Sequence, residues 1–213
     1  MQGCRPLKYW LWLALMLTGC ETDSVPAAVD DTNRFTAIGV SGERLGEDLE
    51  AADCVLDLLT GLTWERKSTA AGLHDWLNTY SWYSPNEANR ELDYRGQEDG
   101  GECADSKCDT WHLVEAVNAA GICGHQDWRV PNKDELASIS DPARAQTPPT
   151  ANHRVFPLTH AAEYWTANDY SFQWNAAWAW NFQFGHDRVD WKKAPKYVRL
   201  VRGTPAELER VKD

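Results

Sequence analysis

The chain has 213 residues, with 32 acidic against 21 basic side chains and a formal net charge of −11. That field repels phosphate backbones and anionic headgroups, so it excludes nucleic acid as a partner and argues against a sulfated polyanion. The length suits one domain of ordinary size plus a tail, and twelve tryptophans are the compositional excess.

Residues 1–19 begin with Arg5 and Lys8 ahead of an apolar run from Tyr9 to Leu17. A basic flank, a short apolar run and small residues before a cut make a secretory signal, too short to span a bilayer. The run closes on Leu17-Thr18-Gly19-Cys20, which resembles a bacterial lipoprotein signal. The resemblance implies cleavage before Cys20 and acylation of its thiol and new amino terminus by chains such as palmitate. Each buried methylene contributes roughly 0.8 kcal/mol, so several chains would hold the protein to a membrane almost permanently. In that class Glu21, not being Asp, implies delivery to the outer membrane, on its periplasmic or surface face. Without the leader, 194 residues remain and the net charge becomes −13.

Residues 20–50 are polar, acidic and aperiodic, and read as a flexible tether with at most a short strand at 35–40. The domain is expected over 51–203. Cys54–Asp57 and Thr60–Glu65 read as strand, tight turn and strand. The long polar, aromatic stretch from Asp75 to Asp109 is an excursion rather than a plain connector. Thr110 to Ala120 is the clearest helix, capped by Asp109 or Thr110, with Trp111, Val114 and Val117 on one side and Gly121 as its stop. Asn132 and Glu135 form a capping-box pattern at a second helix start. Residues 141–160, with four prolines, read as loop. From Phe172 to Phe184 every even position is apolar, the period of a strand with one aromatic face and a break near Asn175–Ala177. Tyr197–Arg202 is the closing strand. Residues 204–213 are a tail, with a small helix at Ala206–Val211.

Four cysteines stay in the exported part once Cys20 is lipidated: Cys54, Cys103, Cys108 and Cys123. An even number in an exported chain reads as disulfides, and four allow three pairings. A local Cys103–Cys108 bridge is sterically easy and would leave Cys54 to join Cys123. The spacings fit no zinc-finger pattern.

Several segments, taken in order, resemble the Lcl C-terminal domain family. They are Thr60-Gly61-Leu62-Thr63-Trp64-Glu65, Val117 through Gly124, Asp127-Trp128-Arg129-Val130-Pro131 with Glu135-Leu136, Tyr164-Trp165-Thr166, and Tyr197 through Gly203. Val130 and Asn132 are mild departures, standing where members often carry Leu and Thr. Parts of these motifs also resemble the formylglycine-generating enzyme group, and both groups are similar to C-type lectins. The resemblance implies an α+β, C-type lectin-like fold, with two helices flanking small twisted antiparallel sheets. It makes Trp64, Trp128, Arg129, Pro131, Glu135, Trp165, Arg199 and Arg202 structural motif residues, the arginines locking helix against sheet through carboxylates or carbonyls.

The formylglycine-generating enzymes act through paired reactive cysteines near their C-terminal end, and no cysteine follows Cys123 here. There is no Gly-x-Ser-x-Gly or His-Glu-x-x-His; His153, His160 and His186 fall on expected loops. No catalytic residue and no cofactor is expected. Lectin calcium sites suggest one comparison: Asn168 and Asp169 follow Trp165, with Asp141 and Glu163 as further oxygens, but the spacing is off by two residues. The expected function is therefore a non-enzymatic binding module on a lipid anchor at the cell envelope, recognising a glycan or a protein surface. The alternative is an assembly lipoprotein that docks an envelope partner; an enzyme comes third. The row Trp178, Trp180, Phe182 and Phe184 is expected in the core, with any ligand site on the 75–109 excursion and the proline-rich loop. Exposure of Trp82, Trp174 or Trp191 around a shared groove would instead mark a sugar platform.

Overall fold

The computed structural model describes residues 33–86 and 93–205. Cys20 with its leader, and the expected helix at Ala206–Val211, lie outside the described residues. Among the described residues the architecture is mixed α and β, with two small antiparallel sheets, two short α-helices and two disulfides. None of the described helices is long and apolar enough to cross a membrane.

The first sheet has five strands in the order β2-β1-β3-β4-β8: β1 Phe35–Ile38, β2 Arg44–Gly46, β3 Cys54–Asp57, β4 Thr63–Glu65 and β8 Val201–Arg202. Strand β1 falls within the short strand expected at 35–40, but β1 and β2 both belong to the sheet, so the chain joins the fold well before residue 50. A buried carboxylate explains why. Asp57, fully buried, takes two hydrogen bonds from the Arg34 guanidinium at 2.9 and 2.6 Å, and others from Thr60 Oγ1 and the Leu59 N–H. One side chain thus docks the start of β1 and orders the β3–β4 turn, where Gly61 supplies a φ of +73°.

Helix α1, Thr110–Ala120, begins and ends as expected, with Asp109 accepting from the His112 N–H and Gly121 in the left-handed region. Its buried side is Thr110, Leu113 and Val117, which leaves Trp111 half-buried at the rim. Helix α2, Lys133–Ser138, carries the complete Asn132–Glu135 capping box. The disulfides join Cys54 to Cys123, stapling β3 to the residues after α1, and Cys103 to Cys108.

The second sheet is β5 Glu163–Asp169, β6 Ala176–Asn181 and β7 His186–Trp191. The aromatic row needs correction here. Phe172 and Trp174 lie in the turn before β6 and are exposed, Phe184 is exposed in the β6–β7 turn, and Trp178 is half-buried; only Trp180 and Phe182 are core. Both faces of strand β6 are covered. Ala177 and Ala179 pack into one cluster with Trp165 and Trp82, while Trp180 and Phe182 pack into the other with Trp64 and Phe156. Small residues are needed on the first face because large rings from elsewhere fill it. His186, placed on an expected loop, pairs with Asn181 as the first residue of β7.

Residues 196–202 join the two sheets. Lys196 bridges Tyr80, Tyr197 bridges Tyr164, and Val201 pairs with both Trp64 and Arg129. Between them the Leu200 N–H donates to the Glu65 carboxylate at 2.8 Å rather than to a strand, so the regular ladder of β8 starts only at Val201.

Candidate functional site

A groove of about 270 Å³ opens beside the second sheet, between Trp174, Asn175 and Trp191 on one side and Gly96-Gln97 on the other. The turn before β6 carries Trp174, and Trp191 closes β7, paired with Ala176. The Lys192 N–H donates to the Asn175 carbonyl at 2.8 Å, so the two tryptophans stand on tied backbones. Both are exposed, Trp174 at 43% and Trp191 at 50%.

The opposite wall belongs to the 75–109 excursion, and one buried cation holds it. Lys192, 1% exposed, places its ammonium 4.2 Å from the Trp82 ring centroid, donates to the Tyr94 carbonyl and pairs with Asp169 at 2.7 Å. Gly96 sits at φ +89°, and a Cβ there would meet the Trp82 carbonyl at 2.3 Å, so only glycine lets this wall approach. The rim adds Gln97 and Lys193, which bring an amide and a cation beside two apolar faces.

Trp82 does not belong to that surface. It is buried, and its indole N–H donates to the Thr166 carbonyl at 2.9 Å. Of the motif residues, Trp64, Trp128, Pro131, Glu135, Trp165 and Arg199 are interior, whereas Arg129 and Arg202 are partly exposed. Trp64 and Trp165 are fully buried, with Trp165 donating to the Tyr80 carbonyl, and Trp128 donates to that of Ile122. Arg129 forms a two-pronged pair with Glu135 at 2.7 and 2.6 Å and reaches the Gly203 carbonyl, and the Pro131 carbonyl accepts from Ala167. Arg202 pairs with Asp127. Arg199 is buried over the Phe156 ring, donating to the Glu65 carbonyl and Thr159.

Glu65 is a buried carboxylate held ionised by its neighbours. Burial by itself would raise its pKa, but the Lys67 ammonium at 2.8 Å, His74 at 2.7 Å and the Leu200 N–H overcome that and hold it at about 2. The carboxylate oxygens are committed to holding β4, the His74 loop and the closing segment together, so this is a structural charge cluster.

The suggested calcium ligands do not converge. Asn168 accepts from the Lys133 N–H, Asp169 faces Lys192, Asp141 caps the turn at 142–146, and Glu163 pairs with Lys196 and Arg188. Among the described residues no three His, Cys, Asp or Glu side chains are placed to hold a metal ion. His160 is stacked between Trp76 and Tyr197 at 4.6 and 4.0 Å, and His186 stacks on Phe184.

The groove thus combines Trp191 and Trp174, flagged in the sequence, with Gly96 and Gln97 from the excursion; the proline-rich loop takes no part in it. Neither a curated protein nor a solved structure matches the chain. A family model described as the Lcl C-terminal domain matches residues 53–202, and the chain belongs to that family.

Proposed function

We propose that this protein is a lipid-anchored protein of the cell envelope whose lectin-like domain binds a glycan, without catalysis, in the groove between Trp174 and Trp191. The observation that carries this reading is the pair of exposed indoles lining a cleft edged by amide and ammonium groups. A Trp face is apolar and electron-rich, so the C–H face of a pyranose lies against it while the hydroxyls reach amide and ammonium groups at the edge. Gln97, Asn175 and Lys193 offer those groups. Burying two such rings would stabilise the fold, yet the backbone holds them at the surface. The overall charge of −11 favours a neutral glycan over a sulfated one. The Lys192–Asp169 pair favours binding that does not need calcium.

The anchor reading rests on Leu17-Thr18-Gly19-Cys20, with delivery to the outer membrane following from Glu21. A glycan array, run with and without calcium, tests the module: the native protein retains a neutral glycan and Trp191→Ala loses it at an unchanged melting temperature. Retention by Trp191→Ala refutes the groove. Cys20→Ser tests the anchor, and a variant that is processed normally and still partitions into detergent overturns it.

One observation favours the second reading, docking of an envelope protein. Phe172, two residues before Trp174 in the chain, is 88% exposed and adds an apolar surface that a sugar does not need. A pull-down from solubilised envelope that depends on Phe172 but not on Trp191 would establish it.

A further inference from the structure

A second cleft, of about 300 Å³, opens between the start of α1, residues 82–84 and the segment leading into α2. Trp82, Trp111, Val114 and Val130 form its apolar walls, with Arg129 and Asn132 on the lining. The slot is rigid. The Trp82 ring is pinned by its bond to Thr166 and by the Lys192 ammonium, and Val114 is on a helix capped at both ends.

The polar lining is only partly used by the fold. Arg129 commits Nη1 and Nη2 to Glu135 and Nη2 again to Gly203, and its Nε–H has no hydrogen-bond partner among the described residues. Asn132 accepts the Glu135 N–H through Oδ1, and its NH2 likewise meets no acceptor there. An apolar slot therefore carries donors whose positions are fixed by structural pairings. Their charge is already balanced: Glu135 neutralises Arg129, and the chain as a whole is acidic. A carboxylate would gain little net attraction, whereas an uncharged carbonyl oxygen accepts these bonds and brings no charge.

We infer that this cleft binds an uncharged ligand in which a large apolar side chain adjoins an amide carbonyl. An end-blocked aromatic residue has this chemistry, as a free small molecule or within a peptide. The inference is independent of the glycan reading, since the two clefts share none of their lining residues.

The test titrates N-acetylphenylalaninamide into the full chain in detergent, followed by calorimetry and tryptophan fluorescence. Saturable binding at one site per chain is expected, with the charged analogue N-acetylphenylalanine weaker by about threefold or more. Val114→Phe fills the slot and should weaken binding by about tenfold or more. Ala167→Leu, at an exposed lining position, is a second filler that leaves the core untouched and should act the same way. Trp191→Ala should bind as the native chain does, which separates this site from the glycan groove. Equal binding of an end-blocked Gly-Gly-Phe-Gly-Gly peptide assigns a peptide source, and its exclusion assigns a free small molecule. Absence of saturation at about 10 mM, equal affinity for the charged analogue, or native binding by both filled variants overturns the inference.

Discussion

The surroundings of Glu65 and the groove at Trp174 invert the usual rule in opposite directions. Around Glu65 the core holds a carboxylate, Lys67 and Arg199, all buried. At the groove two of the largest apolar side chains stand in solvent. The first inversion has a structural reason that can be traced atom by atom, because the Leu200 N–H and the Glu65 carbonyl would otherwise lack partners in a seam without a regular ladder. The second has none. Exposed indoles on tied backbones have no comparable structural partner, and under the proposed glycan reading that asymmetry separates residues kept for stability from residues kept for a ligand.

The comparison is broken most directly at Glu65. Glu65→Ala leaves Lys67 and Arg199 buried without their counter-charge and should destabilise the domain by about 3–5 kcal/mol, measured by urea unfolding. The same group makes stability depend on acid. With its pKa held at about 2 in the folded state against an ordinary 4.5, its contribution is complete above pH 5 or so. It is lost progressively as the pH falls toward 2, and melting curves across that window should show the loss in the native chain and much less of it in Glu65→Gln.

The two disulfides come next. Cys54–Cys123 spans 69 residues and Cys103–Cys108 spans 5, so the chain-entropy model assigns them about 4 and about 2 kcal/mol. Paired serine variants unfolded in denaturant should keep that order. A greater loss from the shorter bridge would mean that the excursion carries more of the core than β3 and α1 do. Trp180→Ala, which empties a buried site in the cluster that holds Tyr164 and Phe182, should cost about 3 kcal/mol.

Local signals carried over from sequence to structure where a side chain acts on its own neighbours. Asp109, Gly121 and the Asn132–Glu135 box set both helices, and Gly61 set the first turn, because caps and turns are satisfied within a few residues. Strand β1 lies inside the short strand expected at 35–40, but its place in the sheet was hidden because its anchor is Arg34 on Asp57, 23 residues away. The even-position aromatic row misled for a related reason. Period two marks alternating faces but not which face is buried; here other segments cover both faces of β6, so alanines 177 and 179 are as deep in the core as Trp180. The groove was half legible. Trp174 and Trp191 could be flagged, but the partner wall depends on Lys192 drawing Tyr94 and Gly96 across nearly 100 residues of sequence, a contact that no spacing announces.

The smallest expected effect on stability is the most telling. Trp174→Ala and Trp191→Ala remove rings that are already about half in water, so each should change unfolding free energy by no more than about 0.5 kcal/mol. Trp180→Ala differs from them by one side chain's burial in the same sheet. If all three variants are unfolded under identical conditions, Trp180→Ala should fall well below the others in midpoint, while glycan retention should follow the reverse order. A large loss of stability in Trp191→Ala would return that ring to the core and dissolve the contrast with Glu65, since its exposure would then be incidental to folding. Native stability together with lost retention would leave the groove as the place where this surface departs from what folding requires.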